Sequence, residues 1–300
     1  MNKEIILAID FNNILFGSYY NTKLVNSKGN NVNAIKGLFL RLQNLKNIFN
    51  PSYIVFANDL SRDKTFRRAL YKPYKAQRKP HDPDIVFQLK MAQRLAALIG
   101  YPFINNINYE ADDILGMISQ LALENNMDVI IVSSDKDMYQ LLKENTSICS
   151  PKVDDLITTQ WLMNKYNLTP TQWIDLKILQ GDRSDNIPGI PKIGEVTALQ
   201  LMQTYGSIDN IYNSINTVKP SVRKLLEDNK DIVDVTRTLV TILTDYKLID
   251  LKLEDIYPKE THVYEAIDLL KELELFSLFN MMRYDLFQKE GLIYGNSSNE

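Results

Sequence analysis

The chain has 300 residues, enough to bury one large core or two small ones, and at 45% apolar and 24% charged it has a composition that excludes wholesale disorder. A single cysteine excludes an internal disulfide framework, two histidines exclude a His-rich zinc centre, and no apolar run approaches the ~20 residues of a membrane span. The net charge of −3 hides a division: Arg62 to Lys79 holds eight basic residues against one acid, so that segment carries +7 and the remainder −10, a polarity that suits an anionic partner.

In chain order, Met1-Asn2-Lys3-Glu4 shows no secretory pattern, and a soluble, cytoplasmic, monomeric protein is expected. Glu4 to Ile9 reads as a buried strand ending at Asp10, and Leu38, Leu42 and Leu45 as a helix stripe. Ser52 to Ala57 reads as a second strand ending at Asn58-Asp59. The basic segment follows, with Arg67, Tyr71, Tyr74, Lys75 and Arg78 at helical spacings; such a face grips phosphates and stacks unpaired bases. Pro102 to Ile104 reads as a short strand. Ala111, Ile114, Leu115, Ile118, Leu121 and Ala122 form a helix stripe opened by Glu110-Ala111-Asp112-Asp113. Val129 to Val132 reads as another strand, leading to Asp135 and Asp137.

Strands alternating with helices predict an α/β fold with a mostly parallel sheet flanked by helices. Beyond about residue 150, prolines punctuate helical stretches and no convincing strand follows. Thr169-Pro170 opens a capped helix, Asp182-Arg183-Ser184-Asp185 follows it, and Asn186 to Ala198 reads as a hairpin between helices, its Gly189, Lys192 and Gly194 suited to duplex phosphates. The expected division is 1–165 for the α/β core with an arch at about 62–90, 166–260 for the hairpin region, and 261–300 for C-terminal helices and a polar tail from Gly295.

Taken singly, each acid at a strand end is a helix cap or a surface charge. Together they crowd one sheet edge, where ligands of open parallel sheets sit. Two carboxylates ~5 Å apart repel by ~3 kcal/mol at an effective dielectric near 20, so such a cluster calls for cations. Oxygen-only donors point to Mg²⁺ or Mn²⁺, and two such ions are suited to phosphodiester hydrolysis. A haloacid-dehalogenase-type phosphatase is disfavoured by Asn12, an EF-hand by the missing glycine after Asp137, and a nucleotide-driven motor by the absence of a Gly-x-x-x-x-Gly-Lys loop.

The ordered set Asp10, Asp59, Thr65-Phe66-Arg67, Tyr74-Lys75-x-x-Arg78, Glu110-Ala111-Asp112-Asp113, Asp135-Lys136-Asp137 and Gly181-Asp182-x-x-Asp185-Asn186-Ile187-Pro188-Gly189 resembles the 5′-nuclease family, which includes the 5′→3′ exonuclease domain of bacterial DNA polymerase I and the flap endonucleases. The match runs from about residue 4 to 245, in a chain that looks like a stand-alone form. The resemblance implies a PIN-like nuclease core with a helical arch and a helix-hairpin-helix part. It implies structure-specific, two-metal hydrolysis of DNA, and of RNA primers, at 5′ ends, nicks and flaps, in primer removal and repair. It assigns Asp10, Asp59, Glu110, Asp112 and Asp113 to a first metal group and Asp135, Asp137, Asp182 and Asp185 to a second. It also implies that Lys75 and Arg78 steady the phosphate, that Asp112 and Asp135 are catalytic, and that K⁺ binds the hairpin. Phe11, Gly17 and Lys192 depart from the family pattern, which has Gly, Arg and Gly there; these departures bear on substrate positioning. The alternatives are a weakly active or inactive junction binder and an RNA-directed PIN-type nuclease.

Overall fold

The computed structural model describes residues 3–20, 23–60, 64–150 and 155–289, with side chains to Arg283. Arg62 and Asp63 of the basic segment, Pro151 and the polar tail from Gly295 lie outside the described residues. In order, the elements are β1 (Ile5–Asp10), α1 (Phe11–Tyr19), α2 (Asn33–Phe49), β2 (Tyr53–Ala57), α3 (Phe66–Leu70), α4 (Pro83–Leu98), β3 (Phe103–Ile104), α5 (Ala111–Glu124), β4 (Asp128–Val132) and β5 (Thr146–Cys149). The helices α6 (Thr159–Tyr166), α7 (Pro170–Gln180), α8 (Glu195–Tyr205), α9 (Ile208–Asn213), α10 (Pro220–Asp228), α11 (Ile232–Val240), α12 (Leu253–Ile256), α13 (Val263–Glu272) and α14 (Phe276–Lys289) complete the chain.

The five strands are all parallel, in the order β3-β2-β1-β4-β5. Alternate strand residues feed two cores. Leu7, Ile9, Phe56 and Val132 face α1, α2, α4 and α13, while Ile6, Ala8, Val55 and Ile131 face α5 and run on through Tyr139 and Trp173 into α7 and α8. Burial on both faces explains why β1, β2 and β4 read as unbroken apolar runs. The strand order reverses between β1 and β4, and this switch point brings Asp10 and Asp135 to one edge. After the hairpin region the chain returns to the C-terminal end of α4, with Lys259 N–H donating to Gly100 O and His262 N–H to Leu98 O.

Two elements, β5 and α1, were not read from the sequence, and one expectation needs correction. The edge strand β5, Thr-Ser-Ile-Cys, is too polar to stand out as a buried run. The helix α1 directly follows Asp10, which caps it. The periodicity from Arg67 to Arg78 does not mark one helix: α3 stops at Leu70, and Lys75 takes a left-handed φ of 53° in a series of turns before α4. The side chains meet through turn geometry.

Candidate active site

Asp10 ends β1 and is buried; Ser133 Oγ donates to its Oδ2 at 2.9 Å and Asn13 N–H to its Oδ1 at 3.2 Å. Asp59, after β2, is exposed and accepts from Ala111 N–H at 2.7 Å and from Asn12 Nδ2 at 3.4 Å. Asp135, after β4, is exposed and caps the following 3-10 turn by accepting from Asp137 N–H at 2.8 Å. Asp112 lies in the first turn of α5. These acids burden one another. Burial, then Asp59 and Asp135, push the Asp10 carboxyl up to about 7. Burial, Asp135 and Asp10 hold Asp112 well above the ordinary range. Among the described residues, no ion pair neutralises these four.

The other acids have cationic partners. Glu110, also buried, accepts from Tyr74 OH and Lys75 Nζ, each at 2.6 Å. Lys75 Nζ lies 3.6 Å from Asp185, which also pairs with Arg78. Burial opposes the Lys75 charge, yet Glu110 and Asp185 raise its proton affinity overall. Asp137 and Asp182 share Lys177, at 2.8 and 2.7 Å. Burial carries Asp137 up to about 6 despite that ammonium.

Asp113, Arg67 and Tyr74 call for correction. Asp113 is 0% exposed, and its carboxylate accepts from Arg67 Nη1 and Nη2 at 2.5 and 2.7 Å, from Glu110 N–H and from Leu243 N–H. Arg67, expected on a DNA-facing surface, is 3% exposed and spends its remaining donors on Leu239 O and Thr241 O. The pair therefore clamps α3 and α5 to the chain leaving α11. Tyr74 is likewise buried and cannot stack on a base. Tyr71 is half-buried against the core, whereas Arg78 remains exposed.

Beside Asp59 and Glu110 a cavity of about 310 Å³ opens, walled by Phe16, Val86, Leu89 and Lys90 with Lys75 and Arg78 at its rim. The turn that carries these two cations is fastened to the loop after α7: Lys75 N–H donates to Asp185 O, Asn186 Nδ2 to Pro73 O and Gln77 Nε2 to Ser184 O. That loop begins at Gly181, φ 66°, where α7 ends. Gly189 packs so closely on Gln180 and Gly181 that a Cβ would lie 2.3 Å from backbone. Gly194, by contrast, caps α8 with nothing within 4 Å of an added Cβ, leaving the helix N-terminus open, and exposed Lys192 stands beside it at φ 65°.

The donor set fits hard divalent cations: every side-chain ligand it offers is an oxygen, and the raised proton affinities of Asp10, Asp112 and Asp137 are what a bound cation relieves. Among the described residues, no three acids are grouped tightly enough to hold one ion as they stand. Lys75, Lys177 and Arg67 draw Glu110, Asp137, Asp182 and Asp113 to themselves, so the acids form a rim rather than the single crowd expected from the strand ends. Asn12, Asn13, Ser133 and Lys177 were missed from the sequence. The only signal for Lys177 was a lone cation in the apolar run Ile174 to Leu179, beside one acid.

Two family profiles match the chain: 5′-3′ exonuclease, N-terminal resolvase-like domain, over residues 5–167, and 5′-3′ exonuclease, C-terminal SAM fold, over 168–263. DNA polymerase I of Caldicellulosiruptor bescii is 32% identical over 284 residues, 92% of this chain and 33% of the relative. That of Streptococcus pneumoniae is 35% identical over 305 aligned positions, 97% of this chain and 34% of the relative. The chain thus spans about a third of the length of the curated relatives it matches. Among solved structures, T5 5′-exonuclease with bound zinc superposes with a TM-score of 0.69 at 20% identity, covering 89% of this chain and 99% of that one. The catalytic core of Rad2 in complex with DNA substrate gives 0.60 at 18% identity, covering 93% and 91%. At these identities the likeness concerns the fold. No helix among the described residues is long and apolar enough to cross a membrane.

Proposed function

The chain belongs to the 5′-3′ exonuclease family, and we propose from that membership that it is a divalent-metal-dependent nuclease hydrolysing DNA, and RNA-primer, phosphodiesters at 5′ ends, nicks and 5′ flaps. The observation that carries this reading is the set of four acids, Asp10, Asp59, Asp112 and Asp135, facing one another at the sheet's switch point with no ion pair among the described residues, while Lys75 and Arg78 stand on the adjoining rim. Asp10, Asp59, Glu110 and Asp112 would hold one ion and Asp135, Asp137, Asp182 and Asp185 a second, Mg²⁺ or Mn²⁺ by donor type. When bound, such ions acidify water and offset the charge that builds on the phosphoryl oxygens.

The protein's own groups supply position. Lys75 and Arg78 offer fixed positive charge where an acidic pocket alone would repel phosphate. The cavity beside them has an apolar wall for a base and Lys90 for a backbone phosphate. The open N-terminus of α8 and Lys192 suit the phosphates of an adjoining duplex, a contact that carries no sequence preference. Domain roles follow: residues 1–165 cut, 166–260 grip duplex, and, of 261–300, the described side chains from Val263 to Met282 brace the core.

The test is cleavage of an end-labelled 5′ flap in Mg²⁺. Asp112→Asn and Asp135→Asn should each lower the rate by at least 100-fold, on the order expected when transition-state charge stabilisation is lost, while duplex affinity stays within about twofold. Undiminished cutting by both variants would remove the mechanism. Flap binding with no chelator-sensitive turnover in the wild type would favour the junction-binder reading.

A further inference from the structure

Lys177 sits where metal chemistry alone has no use for a lysine. It lies in the last turn of α7 with a side chain only 10% exposed, and its ammonium bridges Asp137 Oδ1 and Asp182 Oδ2 at 2.8 and 2.7 Å. Both acids belong to the second group of ligands proposed above. Asp182 is otherwise held by its own loop, accepting from Ser184 N–H and Oγ, which keeps one oxygen aimed at the lysine. Asp137 Oδ1 is buried, and the lysine touches it without a hydrogen bond of good direction. The first group is held differently: Lys75 and Arg67 pair there with Glu110 alone, and no described cation lies within ion-pairing distance of Asp10, Asp59 or Asp112.

An ammonium 2.7–2.8 Å from two carboxylate oxygens occupies the space a divalent ion would need to reach both at ~2.1 Å. The two cations exclude each other by volume and by charge. A cavity of about 530 Å³, lined by Asn13, Asp135, Asp137, Tyr166 and Lys177, lies in front of the bridge and gives the lysine somewhere to swing. We propose that Lys177 is a built-in counter-cation that holds the second-ion position between Asp137 and Asp182, so that one divalent ion binds tightly and a second enters only by displacing the ammonium. Lys177 is thus a positioning residue that grades the two ion sites. The inference rests on the metal-dependent reading of the site.

The experiment is calorimetric titration of the whole chain with Mn²⁺, with bound ion counted independently by the loss of the free-ion paramagnetic resonance signal. The wild type should show one tight event and a second at least tenfold weaker. Lys177→Met should tighten the second event at least tenfold and leave the first unchanged, and Lys177→Arg should keep it weak. Lys177→Gln, a milder removal of the charge, gives the same readout where the methionine variant fails to fold. Two equal events in the wild type, or a second event no tighter in either neutral variant, overturns the role of Lys177 and leaves the nuclease reading standing. No Mn²⁺ binding by the wild type overturns both.

Discussion

Asp113 shows how differently neighbouring acids are used. It lies one position after Asp112, yet it is fully enclosed and accepts hydrogen bonds from Arg67 and two backbone amides, so its charge is already matched. Removing one partner of a buried pair strands the other, at a cost of roughly 3–5 kcal/mol. Asp113→Ala and Arg67→Ala should therefore unfold at markedly lower urea concentration, whereas Asp112→Asn, which removes a repelled charge, should not. Asp10 makes the opposite case in pH. Its folded-state carboxyl is pushed up to about 7 from an ordinary 3.8 by burial and by Asp59, so folding favours its protonated form. The stabilisation is complete below about pH 4 and lost as pH rises through about 7. In chelator, the wild-type melting temperature should fall between pH 5 and 8 more steeply than that of Asp10→Asn. Saturating Mg²⁺ should flatten the wild-type slope, and identical slopes for both proteins would count against this account.

At the scale of elements, the loop between α7 and α8 has two glycines with different reasons to be there. Gly189 lies so close to the backbone of Gln180 and Gly181 that a Cβ would come within 2.3 Å of it, and the loop it closes carries Asp182 and Asp185. Gly194 has open space around it and an ordinary negative φ of −94°. Gly189→Ala should cost several kcal/mol, because neither backbone can retreat without moving α7, and its melting temperature should drop sharply. Gly194→Ala should melt like the wild type and lose duplex affinity alone, since the methyl group stands between the helix N-terminus and a phosphate. Matching melting curves for the two variants would refute the distinction. The turns between α3 and α4 belong to this scale too. Their residues looked helical by spacing, but Pro73 and the fastening of Lys75, Gln77 and Asn186 onto the loop after α7 favour a compact turn over a continued helix.

For the whole molecule, polarity in the chain becomes polarity in space. The net charge is −3, yet Arg78 is exposed beside Asp185 and Lys192 is exposed just ahead of α8, while Arg67, Lys75 and Lys177 are largely spent on internal acids. DNA affinity should accordingly come from few phosphate contacts. In a salt titration of duplex binding, Lys192→Ala should reduce the log–log slope by about 0.9, the value for one phosphate contact. An unchanged slope would place Lys192 away from the duplex.

Much of this was legible in advance because buried parallel strands announce themselves as apolar runs, so β1, β2 and β4, and the acids that end them, could be placed from residue order alone. The family resemblance followed from the same ordered residues, as did the capped start of α7, where Thr169 and Gln172 exchange hydrogen bonds over three positions. β5 escaped because an edge strand needs less apolar surface. What only the tertiary structure decided is which charge neutralises which. Arg67 finds Asp113 across 46 positions of chain, and Lys177 finds Asp137 from another region of the fold. Such pairings depend on how helices pack and on what solvent they exclude, and neither quantity is written in local spacing; so the sequence determined where the acids would gather, and folding determined which of them stay free to bind a cation.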